Sequence, residues 1–326
     1  MSPCSPRIPV LQISLLAALL VGCHAPRTPH PPAATVVAPR HPPRTADALA
    51  ADQRFWHVFH AGSYDEIAPA LRALQAAYLD QPRDAITAAH LGWLHIWRLA
   101  EHARIARPDP MIADDAVLGR RYFEQAVRLD PTDARYQGFY ASLLLTEGTL
   151  LDDDELRQRG AAVMKRAVAT WPEFNLFTAG YGGSAAPHES ARFTDALAAQ
   201  WRNLDVCLGH AVDRHDPDIA RVPRLDVAGA RRACTNTEIA PHNTEGFYLN
   251  FGDMLVKAGE PDAGATMYRN ARTAPEFATW PYREILEARI RDAAANVAGF
   301  RQPRGAPGGA VPMIASAFAC MACHQQ

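Results

Sequence analysis

The chain closes on Cys320-Met321-Ala322-Cys323-His324, with Gln325 and Gln326 after it. Two thiols three positions apart, with an imidazole directly after the second, have the spacing that attaches haem c. The thiols can reach the two vinyl groups on one edge of a porphyrin, and the adjoining imidazole can swing under the ring onto iron. On this reading Cys320 and Cys323 form thioethers to a single haem c, and His324 is the proximal iron ligand. A structural zinc site wants a second ligand pair at regular spacing, which is not visible. A thioredoxin-like redox pair wants a surrounding βαβ pattern, also absent. Terminal disulfide or thiol chemistry stays open beside haem.

A motif this close to the end must be covered by residues that precede it, by a partner, or by nothing. The stretch from Gln302 to Gly309 reads as a flexible Pro/Gly linker, and Pro312 to Phe318 as a small apolar segment expected to form a short helix. The sixth iron ligand is open. His242, Met254, Met267 and Met313 are candidates, and five-coordinate iron is the alternative. Each candidate also has a plain role. Met254 and Met267 suit the core faces of helices, His242 suits a pre-helix loop, and Met313 is tethered too closely to reach the far face of a haem without strain.

Other constellations point to ordinary structure. Asp152-Asp153-Asp154-Glu155 suits a helix start and lacks the glycine turn of a calcium loop. Gly180-Tyr181-Gly182-Gly183 reads as a loop, without the Lys of a phosphate-binding loop. His210, Asp213 and His215 read as solvated, and no Gly-x-Ser-x-Gly elbow is present. The net charge is −2, from 33 basic and 35 acidic residues. With no polybasic stripe, nucleic acid is not an expected partner.

At the other end, Arg7 precedes the apolar run Ile8 to Val21, which is too short to span a bilayer stably. It leads into Leu20-Val21-Gly22-Cys23, which resembles the lipobox of bacterial lipoproteins. The resemblance implies cleavage before Cys23, lipidation of Cys23 and export. No Asp follows the cysteine, so the outer membrane, on its periplasmic side, is the expected address. Residues 23–46 are rich in proline and read as an extended tether, with His24, His30 and His41 solvated in it. Of the six cysteines, Cys4 leaves with the leader. Export implies an oxidising compartment, so Cys207 and Cys234 are expected to form a disulfide, free thiols being the alternative. Closing that loop contributes about 3 kcal/mol in the chain-entropy view.

The residues between tether and motif must position this chemistry. A hydrophobic fraction of 48% supports a sizeable core. Periodicity is helical throughout, with no sustained alternation that signals strands. Ser63 and Glu66 suit a capping box ahead of Ile67, Leu71, Leu74 and Tyr78. Gly119-x3-Phe123-x2-Ala126 recurs as Gly160-x3-Met164-x2-Ala167 and Gly264-x3-Tyr268-x2-Ala271, each closed by Pro131, Pro172 or Pro275. Expected partner helices begin near Gly92-Trp93, Gly138-Phe139 and Gly246-Phe247. This pattern resembles the tetratricopeptide repeat over about 85–175 and 240–295. It departs from it in a spacing of about 41 residues and in the interruption that holds the cysteine loop. Ala240 to Leu255, taken with the terminal CMACHQQ, resembles a bacterial family of exported repeat proteins without assigned activity.

The expected organisation is therefore a lipoprotein signal over 1–22, a tether over 23–46, an all-α tetratricopeptide-like body over 47–300, and a linker with the haem segment over 301–326. The expected function is a lipid-anchored periplasmic haem protein that transfers electrons to a protein partner docked on the helical body, a carrier rather than an enzyme. An interaction scaffold with a structural or sensory haem is the alternative. A haem enzyme such as a peroxidase comes last, because the sequence displays no distal shell for one.

Overall fold

The computed structural model describes residues 43–219, 228–239, 242–303, 306, 310–316 and 319–325. Cys4, Cys23, the leader and the tether up to residue 42 lie outside the described residues, as do Ala240, Pro241, Ala317, Phe318 and most of the 304–309 linker.

Among the described residues all regular structure is helical. The order is α1 (Ala46–His60), α2 (Ile67–Asp80), α3 (Ala85–Ala100), α4 (Asp114–Leu129), α5 (Ala134–Leu150), α6 (Asp154–Thr170), α7 (Pro172–Gly183), α8 (Ala191–Leu208), α9 (Thr244–Ala258), α10 (Pro261–Asn270), α11 (Arg283–Phe300) and α12 (Met321–His324). No helix among the described residues is long and apolar enough to cross a membrane.

Local chemistry sets most of the helix starts and two of the ends. Side chains of Thr45, Asp84, Asp133, Asp153, Ser190 and Asn243 accept backbone N–H groups at the starts of α1, α3, α5, α6, α8 and α9. Pro172 and Pro261 open α7 and α10, where a missing N–H costs nothing. Gly209 and Gly259 end α8 and α9 at φ +79° and +100°, a conformation that other residues adopt only with strain. Two local expectations fail. Ser63 makes no side-chain cap, because Tyr64–Glu66 form a 3-10 turn ahead of α2. Gly180–Gly183 are the last turn of α7 rather than a loop. Gly180 and Gly183 are buried there because Gln200 and Ala196 of α8 pack where a Cβ would sit.

Sequential helices pair as α3 with α4, α5 with α6, α7 with α8 and α9 with α10. The recurring glycine explains three of these pairs. The site for a Cβ on Gly119 lies 3.5 Å from the carbonyl oxygen of Gly92, that on Gly160 lies 3.1 Å from that of Ala141, and that on Gly264 lies 3.2 Å from that of Gly252. In the first and third pairs the exchange is reciprocal, since the rings of Phe123 and Tyr268 lie on Gly92 and Gly252. The expected partner helices are those that pair, but Gly138 and Gly246 face other neighbours: Asn175 meets Gly138, and the C-terminal segment meets Gly246.

The expected Cys207–Cys234 disulfide is present, with Cα atoms 5.9 Å apart. It ties the end of α8 to the 3-10 turn Gly229–Cys234. That turn is also held to α7, because Trp171 Nε1 donates to Ala230 O at 2.8 Å and the Arg232 guanidinium lies 4.3 Å from the Trp171 ring. The staple thus holds the Gly229–Cys234 turn against both α7 and the end of α8.

Candidate functional site at the C-terminus

The C-terminal segment is docked into the body. Arg301 donates to the last carbonyls of α9, at Lys257 and Ala258, and Arg289 Nη2 donates to Val311 O. Met313 begins a 3-10 turn, where a short helix was expected, and its N–H donates to Asp253 Oδ2 at 2.6 Å. Asp253 is buried; it also accepts from Tyr268 Oη at 2.6 Å and pairs with Arg289 at 3.2 Å. Burial raises its pKa, and the Arg289 charge opposes that rise.

Helix α12 carries the motif, held from three directions. Glu101, fully buried at the end of α3, accepts Met321 N–H at 2.7 Å on one oxygen and the Trp97 indole N–H at 3.0 Å on the other. Arg104 pairs with it at 3.4 Å. Trp280 Nε1 donates to Ala322 O at 3.1 Å. From α9 and its lead-in, Asn243 N–H donates to Cys323 O, Asn243 Nδ2 to Gln325 O at 2.8 Å, and Asn250 Nδ2 to Cys323 Sγ at 2.9 Å. Asn243, Gly246 and Asn250 fall at i, i+3 and i+7 and so share one face. The glycine lets the Ala322 and Cys323 backbone lie against α9 where a Cβ would overlap them.

Cys320, Cys323 and His324 line a cavity of about 320 Å³, within the range of small-molecule sites. Phe59 of α1, Trp93 and Trp97 of α3, Phe139 and Leu143 of α5, and Phe177 and Tyr181 of α7 form its largely apolar walls. Gly182 leaves room beside it, since a Cβ there meets only Ser142 Oγ at 3.8 Å. The two thiols are not joined to each other. Burial pushes the Cys323 thiol up to about 12, and burial with the neighbouring Glu101 carboxylate raises Cys320. A thiol pair built for exchange needs a depressed pKa, so this environment disfavours redox cycling of free thiols.

His324 is 2% exposed. Its Nδ1 donates to the carbonyl of Phe59 at 2.7 Å, and Nε2 is buried without a partner. Phe59 and Trp97 hold the ring, at centroid distances of 4.2 and 4.6 Å. Burial pushes the imidazole down to about 3, so it is neutral at physiological pH. A neutral ring with one nitrogen fixed on a backbone carbonyl and the other free is the state in which histidine ligates a metal.

The chain matches no family model, no curated protein and no solved structure.

Of the four sequence candidates for a further iron ligand, His242 lines this cavity. Met254, Met267 and Met313 do not. They are buried in the core, with the sulfur of Met267 3.8 Å from Asn270 Nδ2 and that of Met313 3.9 Å from Ser316 Oγ. Glu101, Asn243, Asn250 and Trp280 were not singled out as anchors of the motif by the sequence. Their partners lie 220, 82, 73 and 42 positions away, beyond any local pattern. The available signal was the spacing of Asn243, Gly246 and Asn250 along one face of α9 and its cap.

Proposed function

We propose that this chain is an exported electron-transfer protein that holds one haem c by thioether bonds from Cys320 and Cys323, with His324 as an axial ligand. The observation that carries the reading is the His324 ring, with Nδ1 committed to Phe59 O and Nε2 buried and unpartnered beside two unlinked thiols in one apolar cavity. Each thiol can add across one vinyl group, its hydrogen passing to carbon, so attachment needs no oxidant. When bound, haem supplies a one-electron iron couple. The aromatic and aliphatic walls would lower the polarity around such a couple and so tune it. Glu101, Asn243, Asn250 and Trp280 fix the motif backbone, and Phe59 fixes the imidazole tautomer.

The lipobox resemblance supports anchoring through Cys23 on the periplasmic side of the outer membrane. The helical hairpins support the tetratricopeptide resemblance, and with it a body that docks a redox partner. A haem-stained denaturing gel of protein made with the maturation machinery tests the reading. Stain is expected in the parent chain and lost in Cys320→Ala/Cys323→Ala. Covalent haem surviving that double change would overturn the assignment.

A further inference from the structure

We propose that His242 is the second axial ligand of the haem iron, so that imidazoles from two different walls of the cavity hold it. The inference rests on haem attachment at Cys320 and Cys323 and adds what closes the iron.

His242 lines the cavity that contains Cys320, Cys323 and His324. The two imidazoles reach it from separate elements. His324 packs on Phe59 and Trp97, from α1 and α3, whereas the His242 ring lies 4.4 Å from that of Phe177 in α7. Three fully buried histidines each have one ring nitrogen close to an oxygen. Nδ1 of His90 lies 2.8 Å from Asp52, Nδ1 of His95 lies 2.7 Å from Asp115, and Nδ1 of His324 lies 2.7 Å from the Phe59 carbonyl. His242 is half-buried, and its enclosed Nδ1 has no hydrogen-bond partner. An enclosed imidazole nitrogen beside an apolar cavity is costly to leave unpartnered unless something else engages it.

Its position is built in. The next residue, Asn243, caps α9 by accepting Gly246 N–H at 2.7 Å, and its backbone and side-chain N–H groups donate to Cys323 O and Gln325 O. One residue therefore fixes His242 relative to the motif that carries His324. Behind it, the Cys207–Cys234 disulfide lines an adjoining cleft together with His242, Phe177 and Phe247. The competing sulfurs of Met254, Met267 and Met313 lie elsewhere in the core.

With both axial positions filled by the chain, the iron has no open coordination site. It exchanges electrons and does not bind peroxide or dioxygen. The test uses matured, haem-loaded protein. Parent protein is expected to show low-spin ferric iron by electron paramagnetic resonance and no rapid carbon monoxide binding when reduced. His242→Ala should keep the haem stain and helical circular dichroism yet turn high-spin and bind carbon monoxide, with added imidazole restoring the low-spin signal. His242→Met should stay six-coordinate and gain the long-wavelength absorption of a methionine–iron bond. A His242→Ala protein that stays low-spin and refuses carbon monoxide, or a parent protein with five-coordinate iron, overturns the proposal while leaving covalent attachment intact. Absence of haem stain from the parent protein overturns attachment itself, and this proposal with it.

Discussion

Replacing Gly246 by alanine should undock the C-terminal motif while leaving α9 formed. A Cβ at this position overlaps Ala322 O and Cys323 Cα, and because both are backbone atoms, no change of side-chain rotamer relieves the clash. The helix alone would gain about 1 kcal/mol from the substitution, since alanine is the better helix former. Against that, shifting the motif weakens three hydrogen bonds, from Asn250 to Cys323 Sγ, from Trp280 to Ala322 O and from Asn243 to Cys323 O. At about 1 kcal/mol each they cost about 3 kcal/mol, before any loss of the buried surface of Ala322, Cys323 and His324. Docking is thus expected to weaken by at least about 2 kcal/mol, roughly thirtyfold in its equilibrium. Native-state hydrogen exchange reads this directly at the amides of Met321, Cys323, His324 and Gln325, which are all bonded in the docked form. Gly182→Ala is the control, since its Cβ meets only Ser142 Oγ at 3.8 Å. Unchanged protection of those four amides in Gly246→Ala would refute the reasoning.

Three further outcomes follow from the same contacts. Glu101→Ala strands the Trp97 indole and the Met321 amide, at about 1–3 kcal/mol each, so chemical unfolding should show a loss of several kcal/mol and Glu101→Gln a smaller one. Equal stability of Glu101→Ala and parent would contradict the anchoring role. Cys207→Ala/Cys234→Ala removes about 3 kcal/mol, a fall in melting temperature of about 5–10 °C; calorimetry on matched samples checks it. Acid should destabilise the haem-free protein, because burial holds His324 down at about 3 and His242 at about 4 against an ordinary 6.5. The folded state then binds fewer protons than the unfolded one. Stability is full above about pH 6.5, declines below it, and is lower by about 2 kcal/mol per histidine at pH 5. Urea midpoints that coincide at pH 7 and pH 5 would rule this out.

Residues with local consequences were legible before the fold was known. The glycine of Gly119-x3-Phe123 and Gly264-x3-Tyr268 announces a close helix crossing, and the crossing is there, because packing of small against large is encoded within one turn. The Cys207–Cys234 pair was legible as the disulfide that an exported chain would be expected to form. The partner register was not. Gly92, Gly138 and Gly246 look alike in sequence, yet only Gly92 faces its hairpin partner's aromatic ring. Gly246 is glycine for the sake of residues more than 70 positions away, and no local rule reports that. The same holds for Glu101, whose position at the end of the apolar α3 reads as a surface carboxylate until the C-terminal segment covers it. Ser63 shows the opposite failure, where a good capping signal yields to a 3-10 turn. The candidate site was therefore half visible. Cys320, Cys323 and His324 stand out in the sequence and line one cavity in the structure, whereas the scaffold that surrounds them leaves little local signal.

The central claim is best tested on the mass of the C-terminal peptide from denatured, matured protein. Addition of both thiols across vinyl groups discards nothing, so the peptide containing Cys320 to His324 should be heavier by one whole haem. A peptide lighter by a pair of hydrogens, or one carrying only two free thiols, would contradict the account.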